Sequence, residues 1–259
     1  MKIAIVGKGG TGKTTISACL ARLLGRDGYR VIAVDADPSL NLSIALGVPP
    51  EEAAKKPILF DEEEFIKSRT QLSNGLYVMN PKVDDVIEKF GIKAPDNVIL
   101  IRFGEVKRAG SRCLCPEYAF LRALFSHLIL GRKDTVIFDM VAGLEHMSRG
   151  TLRGIDLMLC IVEPSLKSIE VAIQMEKFAK ELNIKEFSII ANKIRNHKDM
   201  ELISGIMKKQ PIISIPYDEA VIEADKIGVS LLDYSPNSNA VKAISKLKEI
   251  IKQNLNISH

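Results

Sequence analysis

Apolar residues in this chain gather into short unbroken runs, and between them lie longer stretches with apolar positions every three or four residues. The short runs predict strands over 2–6, 30–34, 75–79, 135–139, 156–162, 187–191 and 212–215. Several hold almost no polar residue, the pattern of strands buried on both faces of a parallel sheet. The longer spacing predicts helices over 14–27, 116–130, 166–182 and 238–253, with Gly25, Gly28 and Gly131 placed where helix C-caps are expected. Strands alternating with helices give an α/β fold: a doubly wound, mostly parallel sheet with helices on both faces. Ligands of such sheets bind beyond the carboxyl ends of the strands. The stretches 55–69 and 83–96 are charged and poorly periodic, and they read as insertions on the sheet. With no internal repeat and no long linker, residues 1–259 read as one domain.

Composition narrows the classes of function. Apolar residues make up 46% of the chain and aromatics 5%, without Trp, so aliphatic packing dominates the core. The formal charge of +4 is spread without a dense Lys/Arg block, which gives no ground for nucleic-acid binding. No apolar run reaches the length of a membrane span, and the first strand starts at the second residue, leaving no room for a signal peptide. The expected location is therefore cytoplasmic, with no stable membrane association. The stripe Val241, Ile244, Leu247 and Ile251 on the last helix fits packing on the sheet better than a lipid surface. In a reducing compartment the four cysteines are not expected to form disulfides. Cys19 and Cys160 lie in apolar segments and read as small core residues.

The chemistry starts at Gly7-Lys8-Gly9-Gly10-Thr11-Gly12-Lys13-Thr14-Thr15, between the first strand and the first helix. Strand, glycine loop and helix start are the setting of a phosphate-binding P-loop. Glycines let successive N–H groups turn toward one anion, and the helix N-terminus adds partial positive charge. Lys13 can reach the β- and γ-phosphates, and the Thr14 hydroxyl can ligate Mg²⁺. Lys8 stands too early in the turn to repeat what Lys13 does. A nucleotide on a second subunit would neutralise it, so Lys8 points to a homodimer.

Two acidic strand ends join the loop. Asp35 and Asp37 follow the second strand, where carboxylates can serve Mg²⁺ or orient an attacking water. Asp37, farther out, suits the water; Asp35 suits the magnesium side, although a carboxylate here can also cap the turn. Thr135-Val136-Ile137-Phe138-Asp139 is a Walker B pattern, its acid holding Mg²⁺ through water. Gly143, shortly after, can offer a backbone N–H to the γ-phosphate, and His146 is the titratable group nearby. For the base, Asn192 and the segment Pro216-Tyr217 follow later strands. No Asn-Lys-x-Asp guanine signature is present, so adenine is favoured and the nucleotide is ATP.

Lys8, the Asp37 loop and Asp139-x-x-Ala142-Gly143 resemble the MinD/ParA-type deviant Walker A ATPases over nearly the whole chain. The resemblance implies an Mg²⁺-dependent ATPase whose two subunits sandwich two ATP molecules. Lys8 then acts in trans on transition-state charge, Asp37 positions water as switch I, and Asp139 and Gly143 belong to switch II. Lys13 and the loop residues Gly9, Gly10, Thr11, Gly12, Thr14 and Thr15 hold the phosphates.

A second constellation is Cys113-Leu114-Cys115-Pro116. One such pair offers two thiolates, half of a closed four-thiolate zinc site, and a two-fold dimer supplies the other half. By itself the spacing is equally compatible with two unrelated cysteines. Together with 139–146 and Val162-Glu163-Pro164-Ser165, however, it resembles the CooC branch of nickel-handling ATPases. That branch serves the maturation of carbon monoxide dehydrogenase. The resemblance implies Ni²⁺, or Zn²⁺ in its place, on Cys113 and Cys115 at the dimer interface, with carbon monoxide dehydrogenase as client. Val141 departs from the acid usual at that position in the branch. Two other readings are an iron–sulfur ATPase resembling nitrogenase iron protein and a positioning ATPase of the MinD/ParA type. The first takes its cysteines from separated positions, and the second leaves Cys113 and Cys115 without a role.

Overall fold

The computed structural model describes residues 1–71, 78, 81–104, 115–127, 133–140 and 154–257; of 115–118, 126–127 and 254–257 it describes the backbone alone. In chain order the elements begin with β1 (Lys2–Val6), α1 (Lys13–Arg26) and β2 (Arg30–Ala36), followed by the short helices α2 (Leu42–Ala45) and α3 (Pro50–Ala54). Then come α4 (Glu63–Thr70), α5 (Val86–Phe90), β3 (Ile92–Ala94), β4 (Val98–Arg102), α6 (Cys115–His127) and β5 (Asp134–Met140). The remainder is β6 (Leu157–Val162), α7 (Leu166–Glu181), β7 (Glu186–Ile194), α8 (His197–Met207), β8 (Ile213–Pro216), α9 (Glu219–Lys226), α10 (Leu231–Tyr234) and α11 (Asn239–Ile257).

The eight strands form one sheet in the order β3-β4-β2-β5-β1-β6-β7-β8, parallel throughout except for β3 against β4. The chain winds from β1 outward to one side and, after β5, crosses to β6 on the other. β1 is thus the switch point, and the loop leaving it sits in the crevice where such sheets bind ligands. Alternation along each strand fills two cores. Ala4, Val6, Val34, Phe138 and Cys160 face the side of α6 and α7; Ile3, Ile5, Ala33, Ile137 and Leu159 pack with Leu20, Leu24, Ile244 and Leu247 of α1 and α11. Both cores are made from strands with no exposed face, as the unbroken apolar runs predict.

Several elements lie outside the sequence reading. β3 and β4 form a hairpin whose loop carries Asp96 and Asn97 at φ 59° each. That Asp-Asn step between apolar residues is the left-handed turn chemistry that marks hairpins. The stretches read as insertions hold most of α4 and all of α5 and β3. The strand expected over 75–79 lies, but for Val78, outside the described residues. Gly25 is no C-cap but an interior residue of α1, where a Cβ would run into the Asp96 carbonyl of that hairpin. Gly28, at φ 85°, sits just past the helix.

Arg22 fixes α1 from below. Almost fully buried, it donates to Asp96 (2.7 Å), to Ser230 (3.0 Å) and with both terminal nitrogens to Asp233 (2.6 and 2.8 Å). The apolar stripe of α11 is buried against α1 and β8. Lys248 and Lys252 on that helix both pair with Asp27 at the end of α1. Among the described residues no helix is long and apolar enough to cross a membrane.

Candidate active site

The P-loop is shaped by what a side chain would hit. Gly7, at φ 142°, presses on the Ile161 carbonyl of the neighbouring strand β6, and Gly12, at φ 94°, would set a Cβ 2.5 Å from Asn192 Nδ2. Gly12 is also the N-cap of α1, and it has no side chain to accept from the helix's first N–H groups. Those donors are left for an anion, which is how a helix N-terminus binds phosphate.

Loop contacts converge on one carbonyl. The Lys8 carbonyl accepts from Thr11 N (3.3 Å), Thr11 Oγ1 (2.8 Å) and Lys13 Nζ (3.2 Å). The Lys13 ammonium is buried, and burial holds its pKa below the ordinary lysine value against the opposing pull of Asp139 and Asp37. A polyphosphate would replace a carbonyl with a full counter-charge there. Thr14 and Thr15 stand half-buried in the first turn of α1.

Three adjacent strands bring the acids together. Asp139 on β5 lies in register with Asp35 on β2 and Ile5 on β1. Its Oδ1 accepts from Ser17 Oγ at 3.1 Å, while its buried Oδ2 has no hydrogen-bond partner among the described residues. Burial pushes the Asp139 pKa up to about 6, opposed by the hydroxyls of Thr14 and Ser17 and by Lys13. An orphaned buried carboxylate oxygen beside Thr14 fits a site for hydrated Mg²⁺. Asp35 is held at about 7, by burial first and then by the Asp139 charge. Both its oxygens are engaged by backbone: Oδ2 accepts from Leu42 N (2.9 Å) and Oδ1 from Asp37 N (3.3 Å). Of the two uses open to this carboxylate, the geometry is that of the turn cap. Asp37, half-buried farther out, accepts through Oδ1 from Ser39 N (2.9 Å) and Ser39 Oγ (2.6 Å).

Asn192 comes to the P-loop from β7. Its Nδ2 donates to the Thr11 carbonyl at 2.7 Å, a contact the sequence gives no sign of. One N–H and the amide oxygen remain for a ligand. A cavity of about 160 Å³ opens beside it, lined by Gly12, Thr15, Asn192, Pro216, Tyr217 and Ile244 among others. The Arg195 guanidinium lies 3.6 Å from the centre of the ring of Tyr217, one of the lining residues. A second cavity of about 380 Å³, which shares Thr15, Val221 and Leu231 with the first, is lined by Thr14, by Asn41 of the Asp37 loop and by Val229 beyond α9.

Sequence reasoning missed Ser17, Arg195, Lys193 and Glu163. Ser17 had a signal, since it lies three residues after Thr14 on the same helix face. Lys193 and Glu163 meet the loop only through the strand order, and Arg195 meets Tyr217 instead. Lys193 Nζ donates to the Gly10 carbonyl (2.6 Å) and pairs with Glu163 (3.1 Å), which also pairs with Lys8 (3.5 Å). Gly143, Cys113, Val141 and His146 lie outside the described residues, and Cys115 opens α6 with only its backbone described. Among the described residues no group of three or more His, Cys, Asp or Glu could hold a metal ion. Cys19 and Cys160 are buried, and burial pushes both thiols up to about 12, as suits core residues.

Comparison with known proteins places this geometry. Residues 2–231 match the CobQ/CobB/MinD/ParA nucleotide binding domain. The carbon monoxide dehydrogenase accessory protein CooC of Rhodospirillum rubrum is 40% identical over 240 residues, 91% of each chain. An uncharacterized ATP-binding protein of Methanocaldococcus jannaschii is 42% identical over 255 residues, 95% of this chain and 96% of its own. Among solved structures, MinD of Pyrococcus horikoshii, complexed with Mg-ADP, has a TM-score of 0.72 at 24% identity and covers 100% of this chain and 98% of its own. At that identity the likeness bears on the fold.

Proposed function

The chain belongs to the CobQ/CobB/MinD/ParA nucleotide-binding family as a CooC-type, MinD/ParA-like ATPase, and from that premise we propose that it is a nickel-handling accessory ATPase for carbon monoxide dehydrogenase. In this reading residues 1–259 form one ATPase domain that works as a cytoplasmic homodimer. Cys113 and Cys115 of each subunit bind Ni²⁺, or Zn²⁺ in its place, across the two-fold axis. The carrying observation is the CooC likeness over nine-tenths of both chains, joined to a C-x-C pair that supplies half a four-thiolate site.

Each side chain then has a task. The uncapped N–H groups of α1 and the loop Gly9, Gly10, Thr11 and Gly12 cradle the β-phosphate, and Lys13, like the Thr11 N–H, exchanges the Lys8 carbonyl for phosphate oxygens. Thr14 and Asp139 hold the magnesium side, the latter through its unpartnered Oδ2. Magnesium, when bound, draws charge from the phosphate oxygens. Asp35 holds the Asp37 loop, and Asp37, released from Ser39, orients the attacking water. Lys8 reaches the partner subunit's nucleotide. Gly143 follows the γ-phosphate and reports its loss. Asn192, Pro216 and Tyr217 enclose the adenine, and their cavity supports that placement.

Nickel binding per dimer, measured for the wild type and for Cys113→Ala/Cys115→Ala, tests the metal site. One nickel per dimer in the wild type and none in the double variant is expected. Equal nickel in both would reject the site.

A further inference from the structure

Glu163 lies immediately beyond β6, at the rim of the P-loop, and its side chain is about 20% exposed. A carboxylate there is unexpected, because ATP brings several negative charges to the same place. Two ammonium groups compensate it. Oε1 lies 3.5 Å from Lys8 Nζ and Oε2 lies 3.1 Å from Lys193 Nζ. Ser165 Oγ adds a contact of 3.5 Å to Oε1, and Ser168 Oγ accepts from the Glu163 backbone N–H at 3.1 Å. The carboxylate is therefore fixed from both sides.

The two lysines differ in how they are tied. Lys193 also donates to the Gly10 carbonyl at 2.6 Å, and it stands at φ 60°, where β7 changes register against β8. A non-glycine residue held in that left-handed region is set by its surroundings. Among the described residues Lys8 has only the longer contact of 3.4 Å to the Gly9 carbonyl besides Glu163, and it is the more weakly held of the two.

We propose that Glu163 is a positioning residue for Lys8: it holds the Lys8 ammonium within its own subunit until a second subunit's nucleotide takes its place, while Lys193 stays and neutralises the carboxylate left behind. The proposal rests on the dimer reading above and gives the exchange a physical cost. A partly exposed ion pair contributes about 0.2–1 kcal/mol, a factor of about 1.4 to 5. A symmetric dimer gives up two such pairs, so removing the carboxylate tightens association by about 2- to 30-fold.

The test compares wild type, Glu163→Gln and Lys193→Gln. The first readout is association with Mg²⁺ and a non-hydrolysable ATP analogue, by sedimentation. The second is labelling of the Lys8 amine by an acylating reagent in nucleotide-free protein, followed by mass spectrometry. Glu163→Gln is expected to associate about 2- to 30-fold more tightly and to label about 1.4- to 5-fold faster at Lys8. Lys193→Gln leaves the whole carboxylate to Lys8 and is expected to shift both readouts the other way. A merely structural glutamate would not speed labelling of one chosen lysine. If the wild type associates but neither variant moves either readout, or Glu163→Gln associates more weakly, the proposal is overturned. If the wild type does not associate at all, the dimer reading falls first and takes the proposal with it.

Discussion

Asn192→Ala separates two uses of one side chain. Nδ2 of this buried residue donates to the Thr11 carbonyl at 2.7 Å, and Thr11 is itself fully buried. Truncation leaves that buried carbonyl without its donor. A buried polar group left unpaired costs about 1–3 kcal/mol. If the cost falls on the phosphate-competent loop, affinity drops by about 5- to 150-fold. The assay is calorimetric titration with Mg·ADP and, separately, with inorganic tripolyphosphate, which has no base. An amide that braces the loop predicts the same loss for both ligands. Asn192→Asp sharpens the comparison, because it keeps the shape but faces an acceptor with an acceptor, so it should bind tripolyphosphate at least as poorly as the alanine variant. Unchanged tripolyphosphate affinity beside weakened ADP binding would refute the brace and return Asn192 to base reading alone.

Two further outcomes follow from the same geometry. Arg22→Ala removes a buried guanidinium shared by Asp96, Ser230 and Asp233, and it should lower unfolding free energy by about 1–3 kcal/mol in urea titration, since the carboxylates left behind are partly exposed; an unchanged urea midpoint would contradict the account of how α1 is anchored. Without nucleotide and magnesium, stability should fall as pH rises from about 4 to about 7. Asp35 and Asp139 have folded pKa values of about 7 and about 6, above the 3.8 of the free side chain. The folded state therefore holds more protons than the unfolded state across that window, and ionisation destabilises it. At about 1.4 kcal/mol per unit the effect is on the order of 4 kcal/mol for Asp35. Below pH 4 the sign reverses, as Asp27, Asp96 and Asp156, whose pKa values are lowered by hydrogen bonds and nearby cations, lose their partners. A urea midpoint that stays flat or rises between pH 4.5 and 7 would contradict the burial argument.

The P-loop, the acidic strand ends and the parallel sheet were legible because each is a local pattern. A run such as Ile3-Ala4-Ile5-Val6 suits a strand covered on both faces, and the glycines that follow it permit a tight turn. Lys13, Thr14 and Asp139 could be named because their chemistry follows from sequence distance to those turns. Other parts were hidden for a physical reason. Asp35 and Asp37 are alike as residue types, and only the backbone N–H groups of Leu42 and Asp37 show that Asp35 caps the loop. Asn192 meets Thr11 across 181 positions, and Glu163 meets Lys8 across 155. Such contacts exist because β6 lies beside β1 in the sheet and β7 beside β6, although both are far from β1 in the chain. The sequence by itself determined that a phosphate loop and two acids sit at strand ends. Which lysine is held by which carboxylate was decided by strand order, since the pairing energy depends on distances that only the folded sheet sets.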